Sequence, residues 1–195
     1  MATRAAAVEA TRERILDAAC DAFLESWYDE VTLRHVAAAA DVALQTVVNH
    51  FGTKEALYGA AVERIGDAIE ARRYAVEPGD VEGAVAALMD DYDRTGDFTL
   101  RTLAEEGRLP VVEPGLARGR RGHQDWVEHV FPSALTRLRG AARQRRLAQL
   151  VAVTDVYTWK LLRRDKGLSR DQTVLAVREL VEALHSSHTS PQGGS

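Results

Sequence analysis

TLRHVAAAADVALQTVVNHFGTK, residues 32–54, reads as two short helices joined by a tight turn. Leu33, Val36, Ala37 and Ala40 recur at helical spacing and give the first helix one apolar face, with Thr32 placed to cap its start. Asp41 and Val42 interrupt the alanine run, and Ala43 to His50 form the second helix. Val47 and Phe51 keep the inner face of that helix apolar. Leu44, Gln45, Thr46, Asn49 and His50 point outward. A short helix with an apolar back and an outer face of amides and hydroxyls suits the major groove of DNA.

Outward from this pair the chain reads as helix throughout. Thr11 to Ser26 is amphipathic, with Ile15, Ala18, Ala19, Ala22 and Phe23 on one side, and residues 1–10 read as a loose arm before it. Gly52-Thr53 breaks the chain and Thr53 caps a helix to about Tyr74, striped by Leu57, Ala61, Ile65 and Ile69. The EPGD at 77–80 is a turn. A helix over Val81–Thr95 follows, then a shorter one from Gly96-Asp97 to Glu106. Pro110, Pro114 and several glycines make 107–122 a loop or broken helix. Gln124 to Phe131 is helical again, bent at Pro132 and continuing toward Arg139. Arg143–Arg164 reads as one long helix carrying Leu147, Leu150, Val151, Thr154, Thr158 and Leu161. Gly167 fits its C-terminal cap, and Ser169 with Gln172 makes a capping box for a last helix to about Leu184. The tail, HSSHTSPQGGS, reads as disordered from 188 to 195. No internal repeat or alternating strand pattern appears, so the expected fold is all-α.

The 195-residue chain is 46% hydrophobic and 28% charged, an ordinary globular balance, with a formal net charge of −4. That charge argues against nucleic acid, and residues 1–58 argue harder, with five Arg/Lys against nine Asp/Glu. Distribution matters more than the sum. Glu9, Glu13, Asp17, Asp21, Glu25, Asp29 and Glu30 precede the helix pair, whereas Arg34, His50 and Lys54 lie within it. One cysteine excludes an intrachain disulfide, and Cys20 reads as a small buried side chain. There is no long apolar run and no signal-peptide pattern, so the expected location is the cytoplasm, with no membrane partner. His123 and His129 are six apart and share no helix face, so no metal is expected. Nucleophile-elbow, P-loop and dinucleotide motifs are missing, so neither a cofactor nor an enzyme is expected.

The pattern T-x-R-x-V-A-x-x-A-x-V-x-x-x-T-V-x-x-H-F-x-x-K-E-x-L resembles the N-terminal domain of TetR-family transcriptional regulators. Thr32, Arg34, Val36, Ala37, Ala40, Val42, Thr46, Val47, His50, Phe51, Lys54, Glu55 and Leu57 carry it, and the preceding helix with Ile15, Ala18 and Phe23 agrees. The stretch VYTWKLLRRDKGLSRDQT is more weakly similar to the final helices of such regulators. The resemblance implies a three-helix helix-turn-helix DNA-binding domain over 1–54 and a helical ligand-binding and dimerisation domain over 55–187. It implies a homodimer through the last two helices, a palindromic double-stranded DNA operator, and a small-molecule effector that releases a repressor from it. Arg34 matches a base-reaching position, and Leu44 and Gln45 the exposed start of the recognition helix. Thr32, Thr46, His50 and Lys54 match phosphate contacts. Ala43, Val48 and Asn49 complete the expected DNA-facing set.

Three positions depart from that pattern. Asp41 stands where the turn usually has glycine; aspartate tolerates a left-handed backbone, and its side chain is a possible cap for the recognition helix. Ala43 replaces a capping serine. Val48 replaces a frequent tyrosine, exchanging a phosphate contact for a possible thymine-methyl contact. Together with the acidic surroundings these motivate an alternative, a helical small-molecule or protein-binding module with weakened DNA binding. Effector-lining residues are sought among the bulky side chains of the middle helices, Met89, Tyr92, Phe98, Leu103, Trp126, His129, Tyr157 and Trp159.

Overall fold

The structure is a computed structural model that describes residues 2–186; the predicted disordered tail falls outside the described residues. Every element in it is helical: α1 (Ala2–Glu25), a 3-10 turn (Tyr28–Glu30), α2 (Leu33–Ala39), α3 (Leu44–Phe51), α4 (Lys54–Arg73), α5 (Val81–Ala104), a 3-10 turn (Pro110–Val112), α6 (Glu113–Val130), α7 (Pro132–Leu135), α8 (Gly140–Val153), α9 (Val156–Lys160), a π-helical turn (Leu161–Asp165) and α10 (Arg170–Ser186). Two compact units share them. One holds the chain up to Ile69 together with Asp97–Gly119; the other holds Glu70–Gly96 and the chain from Arg120 onward. The expected division after Lys54 does not fall at a boundary between these units.

The first unit buries one apolar cluster. Ile15, Ala19 and Phe23 of α1, Val36 of α2 and Val47 of α3 meet Leu57, Ala61 and Ile65 of α4, and Phe98, Val112 and Leu116 complete it. Glycines let its helices close up. A Cβ on Gly59 would stand 2.5 Å from Val111 Cγ2, and one on Gly115 2.7 Å from Val62 Cγ1. Cys20 is buried here, and burial pushes its thiol up to about 11, so it is neutral at physiological pH. In the second unit Val85, Leu88, Trp126, Val127, Phe131, Leu150, Trp159, Val177 and Val181 are fully buried.

Several predicted boundaries move. Residues 4–10 continue α1 as helix instead of forming a loose arm. The glycine at 96 does not end a helix, and α5 runs through it, because this residue lies under Trp159: a Cβ would stand 2.5 Å from the ring. The stretch 107–122, read as loop or broken helix, is the broken form: a turn and the 3-10 turn at Pro110–Val112, then α6 from Glu113. Pro114 sits in its first turn, where a missing N–H breaks no helical bond. The long helix predicted over 143–164 is broken. Thr154 ends α8, and Asp155, extended at φ −74° and ψ 155°, accepts from the Tyr157 amide to cap α9. The expected terminators hold: Gly167 takes φ 68°, and Ser169 and Gln172 exchange side-chain bonds to each other's amides at 2.9 and 3.2 Å.

Candidate nucleic-acid interface

The surface begins at Thr32, whose Oγ1 accepts from the His35 amide at 3.1 Å and caps α2. Arg34 is exposed two residues later in the first turn of the same helix, while Val36 and Ala37 face the core. The end of α2 is a Schellman closure. The Asp41 amide donates to Ala38 O at 3.2 Å and the Val42 amide to Ala37 O at 3.0 Å. That closure needs a left-handed residue, and Asp41 supplies it with φ 52°. The glycine of the family pattern is therefore replaced without loss of the turn.

α3 starts at Ala43, extended at φ −69° and ψ 148°, with no side-chain cap. The expected capping by Asp41 does not occur; its backbone is committed to closing α2. Val47 is fully buried and Phe51 half-buried beneath α3, with the Arg12 guanidinium 5.0 Å from the Phe51 ring. Leu44, Gln45 and Asn49 are exposed outward, and Thr46, Val48 and His50 are half-buried at the flanks. Gln45 Nε2 donates to Asn49 Oδ1 at 3.0 Å, one helical turn along. This leaves Gln45 Oε1 and its second N–H available, the acceptor–donor pair that adenine N6 and N7 require.

Beyond α3, Gly52 turns the chain at φ 73°, and Thr53 caps α4 by accepting from the Ala56 amide at 3.1 Å. Lys54 then lies half-buried with its Nζ 4.2 Å from the centroid of the Tyr28 ring. Sequence reasoning passed over Tyr28, since nothing local links positions 28 and 54. The acidic surroundings are largely answered within the unit. Arg64 pairs with Glu13 and Asp17, Arg108 pairs with Asp29 and Glu105, and Glu30 accepts the Trp27 amide at 3.0 Å. Arg101 Nη2 donates to Leu24 O at 2.6 Å and closes the C-terminus of α1. Arg4 is exposed on α1.

The residues expected to line an effector site do not gather in one place. Phe98 and Leu103 pack on the core of the first unit. Met89, Tyr92, Trp126 and Trp159 are buried in the second. Tyr157 is 59% exposed, because Asp155 restarts the helix with this side chain outward, and His129 is also exposed beside Tyr74. The second unit instead holds a buried polar chain. Asp91 accepts from Arg72 and Arg73, and Arg73 Nη1 lies 3.4 Å from His123 Nδ1. A guanidinium only donates, which assigns the ring proton to Nε2 and makes it the donor to Thr154 Oγ1 at 3.1 Å. Burial, with Arg73 beside it, depresses His123 to about 3 and keeps it neutral. Tyr92 donates to Thr154 O at 3.1 Å.

A capped helix, a left-handed turn and a second helix with an outward polar face define a helix-turn-helix DNA-binding protein. Residues 15–61 match the sequence model of the bacterial regulatory proteins of the tetR family. Those residues of the chain therefore carry the N-terminal domain of that family. The whole fold is similar to a transcriptional regulator from Rhodococcus sp. Rha1, with a TM-score of 0.74 at 20% identity over 92% of this chain and 99% of that one. It is also similar to a tetR-family transcriptional regulator from Streptomyces coelicolor, with a TM-score of 0.71 at 21% identity over 90% and 79% of the two chains. The multidrug binding protein EbrR, solved with imidazole, matches with a TM-score of 0.60 at 27% identity, covering 87% of this chain and 88% of its own. No curated protein matches the sequence. Among the described residues no helix is long and apolar enough to cross a membrane.

Proposed function

We propose that the chain is a ligand-responsive repressor that binds a palindromic operator as a homodimer and is released by a small molecule. The observation that carries the DNA part is α3, held by the Asp41 closure and an apolar back, with Gln45 and Asn49 outward. Arg34 and Gln45 read base edges, with Leu44, Ala43, Val48 and Asn49 alongside. Thr32, Thr46, His50 and Lys54 contact phosphates. Residues 1–54 carry recognition, and 55–187 carry effector binding and dimerisation.

The dimer reading is supported by Tyr157, Leu161, Leu175 and Leu180, apolar side chains exposed on α9, the π-helical turn and α10. One recognition helix reads only a few base pairs, so a second half-site supplies specificity. The effector reading is supported by the likeness to EbrR and by the polar chain that Arg73, His123, Thr154 and Tyr92 form among the buried aromatics of the second unit. Selection of binding fragments from genomic DNA with purified protein tests the proposal. A palindromic sequence whose preference changes at particular bases in Gln45→Ala supports it. No sequence-selective fragment at moderate salt overturns it and favours the alternative of a helical binding module with weakened DNA contact, to which the uncapped start of α3 and Val48 point.

A further inference from the structure

A lysine that contacts a phosphate must hold a flexible four-carbon stem in one place, against its rotamer entropy. A carboxylate would fix it, but would also neutralise it and compete with the phosphate. An aromatic face holds an ammonium without cancelling its charge or occupying all its N–H donors. Lys54 has this second arrangement. Its Nζ stands 4.2 Å from the Tyr28 centroid, and the neighbouring Glu55 carboxylate acts on it through its charge without a direct ion pair.

Tyr28 is itself fixed. It is buried, tilts against Tyr58 at 5.1 Å between centroids, stacks with Phe23 at 6.4 Å, and has its hydroxyl beside Glu55, the neighbour of Lys54 on α4. The second cation near the ring, Arg108 with Cζ at 5.6 Å, is committed to Asp29 and Glu105. We propose that Tyr28 is the positioning residue for Lys54 in DNA binding, its ring face presenting the ammonium to the phosphate backbone. This rests on Lys54 being a phosphate contact.

The test separates ring electronics from ring shape. Tyr28→Phe keeps the face and loses only the hydroxyl beside Glu55, and a series of mono-, di- and trifluorinated phenylalanines at position 28 then drains the face at nearly constant shape. Binding to a mixed-sequence DNA duplex is measured across a salt series, in the natural background and with Lys54→Ala. Phosphate contact is independent of sequence, so no operator is needed. Tyr28→Phe should bind within about twofold of the natural chain, and affinity should fall stepwise with fluorination, by about three- to tenfold in all. With Lys54→Ala the series should be flat. Equal affinity across the series in the natural background, or the same fall in both backgrounds, overturns the positioning role. A Lys54→Ala chain with natural affinity and an unchanged salt slope overturns the phosphate reading of Lys54, and this inference with it.

Discussion

Ala43 offers a direct test of how α3 is held. It occupies the N-cap with φ −69° and ψ 148°, the extended backbone that a capping residue adopts, yet it brings no side-chain acceptor. The Ala43 carbonyl takes the Thr46 amide at 2.9 Å and the Val47 amide at 3.4 Å, so Leu44 and Gln45 N–H are left to solvent as at any helix start. Position 43 is exposed, so a serine hydroxyl fits without repacking. Ala43→Ser should stabilise α3 by about 1 kcal/mol, and Ala43→Gly by only slightly less. The chain forms two compact units, so a global melting temperature mixes their transitions, and amide hydrogen exchange on α3 is the better assay. A gain of about 1 kcal/mol slows exchange of locally opening α3 amides roughly fivefold, with Ser slowest, then Gly, then Ala. If Ser and Ala exchange alike, the start of α3 is already satisfied by contacts other than an N-cap, and the reasoning is refuted.

His123 should make stability fall in acid. Its folded value of about 3 lies below its ordinary 6.5, so the unfolded chain takes up a proton there that the folded chain does not. The contribution is complete above about pH 6.5 and is lost as pH falls from there toward 3; denaturation curves should show His123→Gln with a shallower decline than the natural chain over that window. Gly96→Ala drives a Cβ to 2.5 Å from Trp159 and should cost about 1–3 kcal/mol of stability, read by chemical denaturation; a change under about 0.5 kcal/mol would mean that the ring shifts freely. Leu180→Asp, on a side chain 44% exposed, should shift sedimentation of the chain from dimer to monomer while leaving its helical circular dichroism intact.

Periodic signals were legible in the sequence wherever an element was set by its own residues. Thr32, Thr53, Gly167 and the Ser169–Gln172 box act as caps because each bonds amides or shapes backbone within a few positions. Asp41 was readable against the glycine of the family pattern, since few other residues accept its backbone angle. What misled was glycine and proline read as punctuation. At position 96 the missing side chain makes room for an indole 63 residues away in the chain, and Pro114 opens a helix where loop or broken helix was expected. The break at Thr154 and Asp155 was hidden because the apolar spacing of Leu147, Leu150 and Leu161 continues across it. Among the site residues, those on α3 follow from local pattern. The Tyr28–Lys54 contact and the scattering of the expected effector residues follow from tertiary packing alone.

The compact unit that carries α3 is sewn from two stretches of chain, and this sets a rule for recombination. A head cut after Lys54 would leave behind Leu57, Tyr58, Ala61, Phe98, Val112 and Leu116, which complete its interior, and Arg101, which closes the C-terminus of α1. Such a fragment exposes the backs of Val36 and Val47 to water. Grafting this DNA specificity onto another regulator therefore takes three joints, one after Ile69, one before Asp97 and one after Gly119. In evolutionary terms the recognition surface is not a detachable cassette, and its drift is tied to residues buried behind it.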